Sequence, residues 1–316
     1  MAKVDEVVTE LAEWLVGSIE QGTDGTWKAP WHDLAGWADL MSPTNALTEK
    51  DYRGINTLIL ATTAHDHGWS SGTWATYKQW QELGAQVNKG EHGTSCVKWV
   101  SRKQADEAAT AVKDTMFPVA FTLFNADQVD GYEPVALPER EWTPVEEAER
   151  FFAQIGADVR HQNGNVACYR PALDYIVMPL PEQFADMERY YGVLAHEHTH
   201  WTGHKDRNAR DFSGRFGDDA YALEELVAEL GSATVLARLG LSAVPQPDHA
   251  RYIEHWVRVL QTTPKALMTV CAKASDAVEY LEVAAQPALD AAVVLSEGRV
   301  IEPDHASSRS ATEMAL

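Results

Sequence analysis

The chain has 316 residues, of which 45% are hydrophobic and 23% charged. That balance supports a packed core, excludes a fibrous or wholly disordered chain, and suits about two domains. The formal net charge of −21 argues against a general nucleic-acid coat.

The charge is unevenly spread. Residues 50–103 carry seven Lys/Arg against four Asp/Glu, a basic island in an acidic chain. The three cysteines, Cys96, Cys168 and Cys271, are too few and too far apart for a disulfide framework or a cysteine zinc knot. They fit a reducing compartment. The first twenty residues carry acidic groups every few positions and read as an amphipathic helix, not a secretory signal. No run of about 18 apolar residues occurs, so the expectation is a cytoplasmic protein without a membrane partner.

In chain order, Val4, Val7, Val8, Leu11, Leu15 and Ile19 recur at helical spacing and predict a first helix, ended by Gly22 and Gly25. An aromatic stretch follows with Trp27, Trp31 and Trp37. Ile55, Leu58, Ile59 and Thr62 predict a second helix, and residues 73–83 a third, stopped by Gly84. Two short strands around the Gly90–Gly93 turn, then a strand in which Val119, Phe121 and Leu123 alternate, complete an α+β unit over residues 1–130. Residues 131–144, with three prolines, read as a linker.

The second domain is expected over residues 145–300. Thr143 and Pro144 suit the cap and first position of a helix reaching Ile155. Short strands follow across 159–179, with a hairpin turn expected at Asn163–Gly164. Helical patterns cover 182–201, 220–239 and 247–261, and residues 301–316 read as a frayed tail.

The strongest chemical signal is HEHTH at 196–200, an H-E-x-x-H sequence in a helical context. His196 and His200 lie four apart, so one helix face presents both imidazoles to a single zinc-like ion. Glu197 stands beside them, placed to act as general base toward water acidified by the ion. A third ligand is expected from YALEELVAEL, where Glu225 and Glu229 share a face. Glu229 is preferred because its more apolar surroundings leave a carboxylate in greater need of a partner; Glu225 is the alternative. The other carboxylate would orient an imidazole. Tyr221 is a candidate oxyanion stabiliser. His204, Arg207, Arg210 and Arg215 form a basic cluster that either binds a substrate anion or pairs with nearby aspartates. His198, at an x position, is expected to face away from the ion. The implied cofactor is one divalent ion, zinc first, with manganese or another divalent ion as the alternative.

The basic island is interleaved with aromatics, as single-stranded nucleic acid requires. Trp27, Trp31, Trp74 and Trp80 are candidate stacking platforms; Arg53, Lys78, Lys89 and Lys98 are candidate phosphate contacts. The bland reading is that most of these tryptophans are core.

Trp27, Pro30 and Trp31, then Pro43 and Asn45, YRGIN at 52–56 and TWATYKQWQELGAQVNKGEHGT at 73–94 together resemble the N-terminal domain of the ArdC antirestriction proteins, a domain similar to one in TraC-type plasmid primases. HEHTHWTGH at 196–204 and YALEELVAE at 221–229 resemble the same family's zincin-like domain. The resemblance spans about residues 4–300. It implies an N-terminal α+β domain that binds single-stranded DNA, a C-terminal zincin-like metallopeptidase domain, and protection of incoming plasmid DNA from host restriction. It assigns Tyr52, Arg53, Asn56, Gln79, Trp80, Lys89 and Gly90 to the DNA-binding motifs, and His196, Glu197, His200, Glu225 and Glu229 to the metal motifs. The competing activity is a zinc-dependent metallopeptidase recruited to DNA, using Glu197 against a host restriction protein or another DNA-associated protein.

Overall fold

The computed structural model describes residues 3–21, 40–104, 113–133, 143–211, 219–242 and 253–286. Helix α1 (Val4–Gln21) forms where the apolar spacing predicts it and buries Val8, Leu11 and Leu15. Strand β1 (Thr44–Asn45) leads to helix α2 (Ile55–His67), which ends at Gly68 in the left-handed conformation, φ 67°.

The third predicted helix is divided. Thr73–Ala75 form strand β2, parallel to β1, and only Tyr77–Glu82 form helix α3. Thr76 and Gln79 make a reciprocal capping box, which fixes the helix start after the strand. Strand β3 (Gln86–Val87) pairs with β6 (Val129–Asp130). Strands β4 (Thr94–Gln104) and β5 (Lys113–Asn125) make a long antiparallel hairpin, in register from Thr94↔Leu123 outward to Gln104↔Lys113. The main sheet of this half has the order β1-β2-β5-β4.

In the C-terminal half, helix α4 (Pro144–Ile155) starts as its sequence predicts: the Thr143 hydroxyl accepts from Glu146 N, and the Glu146 carboxylate accepts from Thr143 N. Strands β7 (Val159–Gln162), β8 (Cys168–Arg170) and β9 (Tyr175–Pro179) form a sheet in the order β7-β9-β8. Strand β9 is parallel to β7 and antiparallel to β8. The hairpin therefore closes between β8 and β9, through Asp174 at φ 53°, and not at Asn163–Gly164 as expected. Residues 163 and 164 join β7 to β8, which do not pair.

Four helices complete the half: α5 (Met187–Thr202), α6 (Asp219–Arg238), α7 (Ile253–Thr262) and α8 (Ala266–Ala285). Helix α8, which the sequence did not single out, packs against α6, α5, α4 and, across the halves, α2 and α1. One continuous hydrophobic core therefore runs through both halves, from Val8 and Leu58 to Leu226 and Leu281. A smaller cluster around Ala75, Trp80, Ala85 and Val87 lies under the β3–β6 pair. The greater part of the predicted linker and the whole C-terminal tail lie outside the described residues. No described helix is long and apolar enough to cross a membrane.

Candidate metal centre and nucleic-acid face

Helix α5 places His196 and His200 one turn apart, and helix α6 crosses beside it. The close approach depends on Gly231: a Cβ there would lie 2.6 Å from Thr199 Cγ2 on α5. That contact brings the carboxylates of α6 up to the imidazoles.

His196 Nε2 and His200 Nε2 face each other at 3.1 Å. The Glu225 carboxylate spans both, with Oε2 3.4 Å from His196 Nε2 and Oε1 3.6 Å from His200 Nε2. Ligand bonds of about 2.0–2.2 Å at a tetrahedral angle separate ligand atoms by about 3.3–3.6 Å. The separations to the two Glu225 oxygens, 3.4 and 3.6 Å, fall on that edge and the 3.1 Å between the Nε2 atoms is slightly shorter, and His196, His200 and Glu225 are all buried. The donor set of two imidazoles and one carboxylate fits a divalent ion.

Glu229 takes a different position from the one expected. Its Oε1 stands 3.8 Å from His196 Nδ1, the ring nitrogen turned away from His200, and that nitrogen has no hydrogen bond among the described residues. Of the two carboxylates, it is that of Glu225, not of the expected Glu229, that spans the two Nε2 atoms. One turn of helix separates the two, and the tilt of α6 against α5 decides which carboxylate reaches the Nε2 pair.

A residue that the sequence analysis passed over completes the cage. Glu224 Oε1 lies 3.3 Å from His200 Nδ1 and also accepts from Arg210 Nε and Nη2 at 3.1 and 2.9 Å. Arg210 is itself buried, donating to Thr202 Oγ1 and to the Thr199 carbonyl. The only sequence signal for Glu224 is the Glu-Glu doublet at 224–225. Arg210 therefore belongs to the support of His200, and Arg207 ion-pairs with Asp174 while lying 3.8 Å over the Trp201 ring. These two arginines are engaged internally, Arg207 with Asp174 and Arg210 with Glu224, not held out for a substrate anion. Arg215 lies outside the described residues.

Charge follows the same geometry. Burial works against a charge on His200, but Glu225 and Glu224 outweigh it and push its pKa up to about 10. His196 is raised in the same way, with Glu225 overcoming burial. Burial also opposes ionisation of Glu225, yet the two imidazoles hold it well below the ordinary carboxylate range.

Glu197 is buried, and burial raises its carboxyl against the pull of His196 and His200. Its Oε2 accepts from Tyr169 N at 2.7 Å, so the edge strand β8 orients it. His198 points the other way, as expected: its Nδ1 donates to the Leu194 carbonyl at 2.8 Å, its ring tilts against Phe152, and burial lowers its pKa to about 4. Tyr221 lies in the first turn of α6, partly buried, one turn before Glu225.

In the N-terminal half the predicted DNA-binding residues do not form one face. Trp74 and Trp80 are 1% and 0% exposed. Trp80 also donates from Nε1 to the Phe124 carbonyl. Neither indole offers a face for a base, which corrects their reading as stacking platforms. Trp27 and Trp31 lie outside the described residues.

Asn56 clasps Val97 through both backbone groups, at 2.7 and 2.8 Å, and pins α2 to β4. Gln79 and Tyr52 bond to Asn45, in a network that shapes the loop before α2. Arg53 reaches into the C-terminal half, donating to Glu279 Oε2 at 2.6 Å and to the Ser275 carbonyl at 3.2 Å. Lys78, Lys89 and Lys98 are exposed, and Lys98 lies 5.5 Å over the Phe121 ring. Among the described residues the exposed aromatics of this half are others: Trp99 at 56%, Tyr77 at 42% and Phe117 at 37%. On the β4–β5 hairpin Phe117, opposite Val100, falls on the same face as Lys98, and Trp99, next to Lys98 in the strand, falls on the other.

An H-E-x-x-H helix crossed by a glutamate-bearing helix beside a small sheet defines a zincin-like half, here fused to an α+β half through a shared core. Two family models match accordingly: the N-terminal domain of anti-restriction factor ArdC over residues 5–126, and a zincin-like metallopeptidase over residues 146–273. The metal-free crystal structure of the antirestriction ArdC protein from the R388 plasmid is 36% identical, with a TM-score of 0.73 covering 88% of this chain and 97% of that one. Its Mn(II)-bound structure gives 34% identity and a TM-score of 0.71, covering 88% and 98%.

The y4eC protein of Sinorhizobium fredii (strain NBRC 101917 / NGR234) is 40% identical over 286 residues, 87% of this chain and 91% of that protein. DNA primase TraC of Escherichia coli is 36% identical over 289 residues, but the match spans 19% of the primase. The chain belongs to the ArdC antirestriction family.

Proposed function

We propose that this protein binds single-stranded DNA through its N-terminal half, protects incoming plasmid DNA from host restriction, and holds one divalent ion between His196, His200 and Glu225. The observation that carries the metal reading is the convergence of two Nε2 atoms and one carboxylate at ligand-to-ligand spacing in a buried site. The Mn(II)-bound relative supports a divalent ion. A site of two imidazoles and one carboxylate suits zinc equally well. Glu229 and Glu224 then serve as orienting partners at the far ring nitrogens of His196 and His200. For DNA, the family membership and the exposed lysines and aromatics around the hairpin support a single-stranded ligand.

A second reading, a metallopeptidase acting on a DNA-associated protein, is favoured by the position of Glu197. Its carboxylate is oriented by Tyr169 N and raised by burial, as a proton acceptor beside a metal requires. A divalent ion in this cage supplies Lewis acidity toward water. Glu197 accepts and returns the proton, and the buried walls keep bulk solvent from the carboxylate.

One pair of assays tests both readings. Glu197→Gln should retain the ion and still shield single-stranded DNA from a nuclease or restriction enzyme. Loss of shielding in the folded, metal-loaded variant would transfer the function to the peptidase reading, for which peptide cleavage should fall at least ~100-fold. In metal titration, Glu225→Ala should weaken binding more than Glu229→Ala, for which about 10–100-fold is expected; the opposite order would return Glu229 to the ligand position.

A further inference from the structure

We propose that the concavity beneath Tyr77 is a nucleobase pocket on the path of the single-stranded DNA, with Tyr77 stacking on an unpaired base and Lys89 holding the adjoining phosphate. The inference rests on the reading of the N-terminal half as DNA-binding, and it names where a base enters. The cavity measures about 490 Å³, within the roughly 300–1,000 Å³ of small-molecule sites. It lies among α3, β3, the loop after β3 and the ends of β5 and β6.

The aromatic wall is fixed. Tyr77 packs edge-on against Phe124, with ring centroids 6.2 Å apart. Gln86 Nε2 donates to the Tyr77 hydroxyl at 3.0 Å and to the Val87 carbonyl at 3.0 Å, so the ring is held upright. At 42% exposure it still offers a face to solvent. An aromatic with an accessible face and a locked ring is a stacking platform that loses little entropy on binding.

The opposite rim is equally fixed, by a buried amide. Gln128 is 1% exposed. Its Nε2 donates to Glu91 Oε2 at 2.8 Å and to the His92 carbonyl at 2.9 Å, and the Gln128 backbone carbonyl accepts from Asn88 N at 2.9 Å. These bonds staple the loop from Asn88 to His92, with Gly90 at φ 95° making the turn.

The staple leaves three side chains on the rim: the Asn88 amide, the Asp130 carboxylate and the Lys89 ammonium, none with a side-chain partner among the described residues. Asn88 supplies a donor and Asp130 an acceptor. Every base presents at least one acceptor and one donor on its pairing edge. The rim therefore suits any unpaired base, as sequence-tolerant binding requires. In a duplex that edge is occupied and the ring face is stacked, so the pocket selects single strands.

The test uses the full metal-loaded chain and a mixed-sequence oligonucleotide of about 20 nucleotides. By fluorescence anisotropy, Tyr77→Ala should weaken binding about tenfold, and Tyr77→Phe, which keeps the ring, should stay within about twofold of the parent. Lys89→Ala should lower the salt slope by about 1. With 5-iododeoxyuridine in the strand, photocrosslinking should give an adduct at Tyr77. If the parent binds but Tyr77→Ala binds equally well and adducts fall only elsewhere, such as Trp99, the pocket assignment is overturned while DNA binding stands. If the parent binds no single strand, the DNA reading falls and the pocket with it.

Discussion

In the C-terminal half, the residues that carry chemistry sit four apart on two helices, and the fold brings them together. In the N-terminal half, the basic and aromatic residues are scattered over strands, loops and one short helix, and the fold separates them. Helical spacing is a local property: His196 and His200 share a face whatever else the chain does. An indole has no such guarantee. Trp80 and Trp99 are each interleaved with lysines in the sequence, yet one is 0% exposed and the other 56%. A motif built on helical periodicity survives translation into three dimensions, whereas a composition of aromatics and lysines only names the ingredients.

The contrast can be broken experimentally, and the largest effect belongs to the metal half. His196→Ala with His200→Ala should reduce bound metal from about one ion per chain to background by elemental analysis, because a lone carboxylate does not hold a transition ion. Stoichiometric metal in the double variant would move the centre elsewhere.

The two tryptophans should separate stability from binding. Trp80→Ala should cost about 3–5 kcal/mol in urea unfolding, since it empties the small cluster under β3–β6. Trp99→Ala should change stability by no more than about 0.5 kcal/mol and lower single-strand affinity severalfold. Equal stability losses would mean that Trp99 packs against something in solution.

Gly231→Ala tests how the metal half is assembled. The new Cβ meets Thr199 Cγ2, so a loss of about 1–3 kcal/mol is expected together with weaker metal binding. Thr199→Ala in the same chain should recover part of both. Additive losses in the double variant would show that the helices do not meet at this point.

The smallest effect is expected where the halves touch. Arg53 and Glu279 form an ion pair whose side chains are 46% and 57% exposed. A double-mutant cycle should give about 0.2–1 kcal/mol, falling with salt. A larger coupling would assign the pair a structural role and remove Arg53 from DNA contact.

Much of the fold was legible locally. Thr143, Pro144 and Glu146 announce the start of α4, and the H-E-x-x-H helix places its imidazoles and Glu197 without outside help. The strand arrangement was less so. Asn163–Gly164 is a good hairpin dipeptide, but β7 pairs in parallel with β9, and that choice belongs to the sheet and not to the turn. Thr73–Ala75 are expected as the start of the helix over 73–83; pairing with β1 and β5 makes them a strand.

The sequence by itself determined the helix face that carries His196 and His200, the place of Glu197 beside it, the basic island and the family. Each depends on residue identity and on spacing within one element. The tertiary structure decided that Glu225, not Glu229, meets both Nε2 atoms, that Glu224 and Arg210 buttress His200, and that Tyr77 and Trp99 replace Trp74 and Trp80 at the surface. These outcomes depend on how two helices cross at Gly231 and which face of a short helix meets a sheet. A shift of one turn, or of one strand pairing, exchanges which carboxylate meets the imidazole pair and which aromatic ring is buried, while leaving every local signal unchanged.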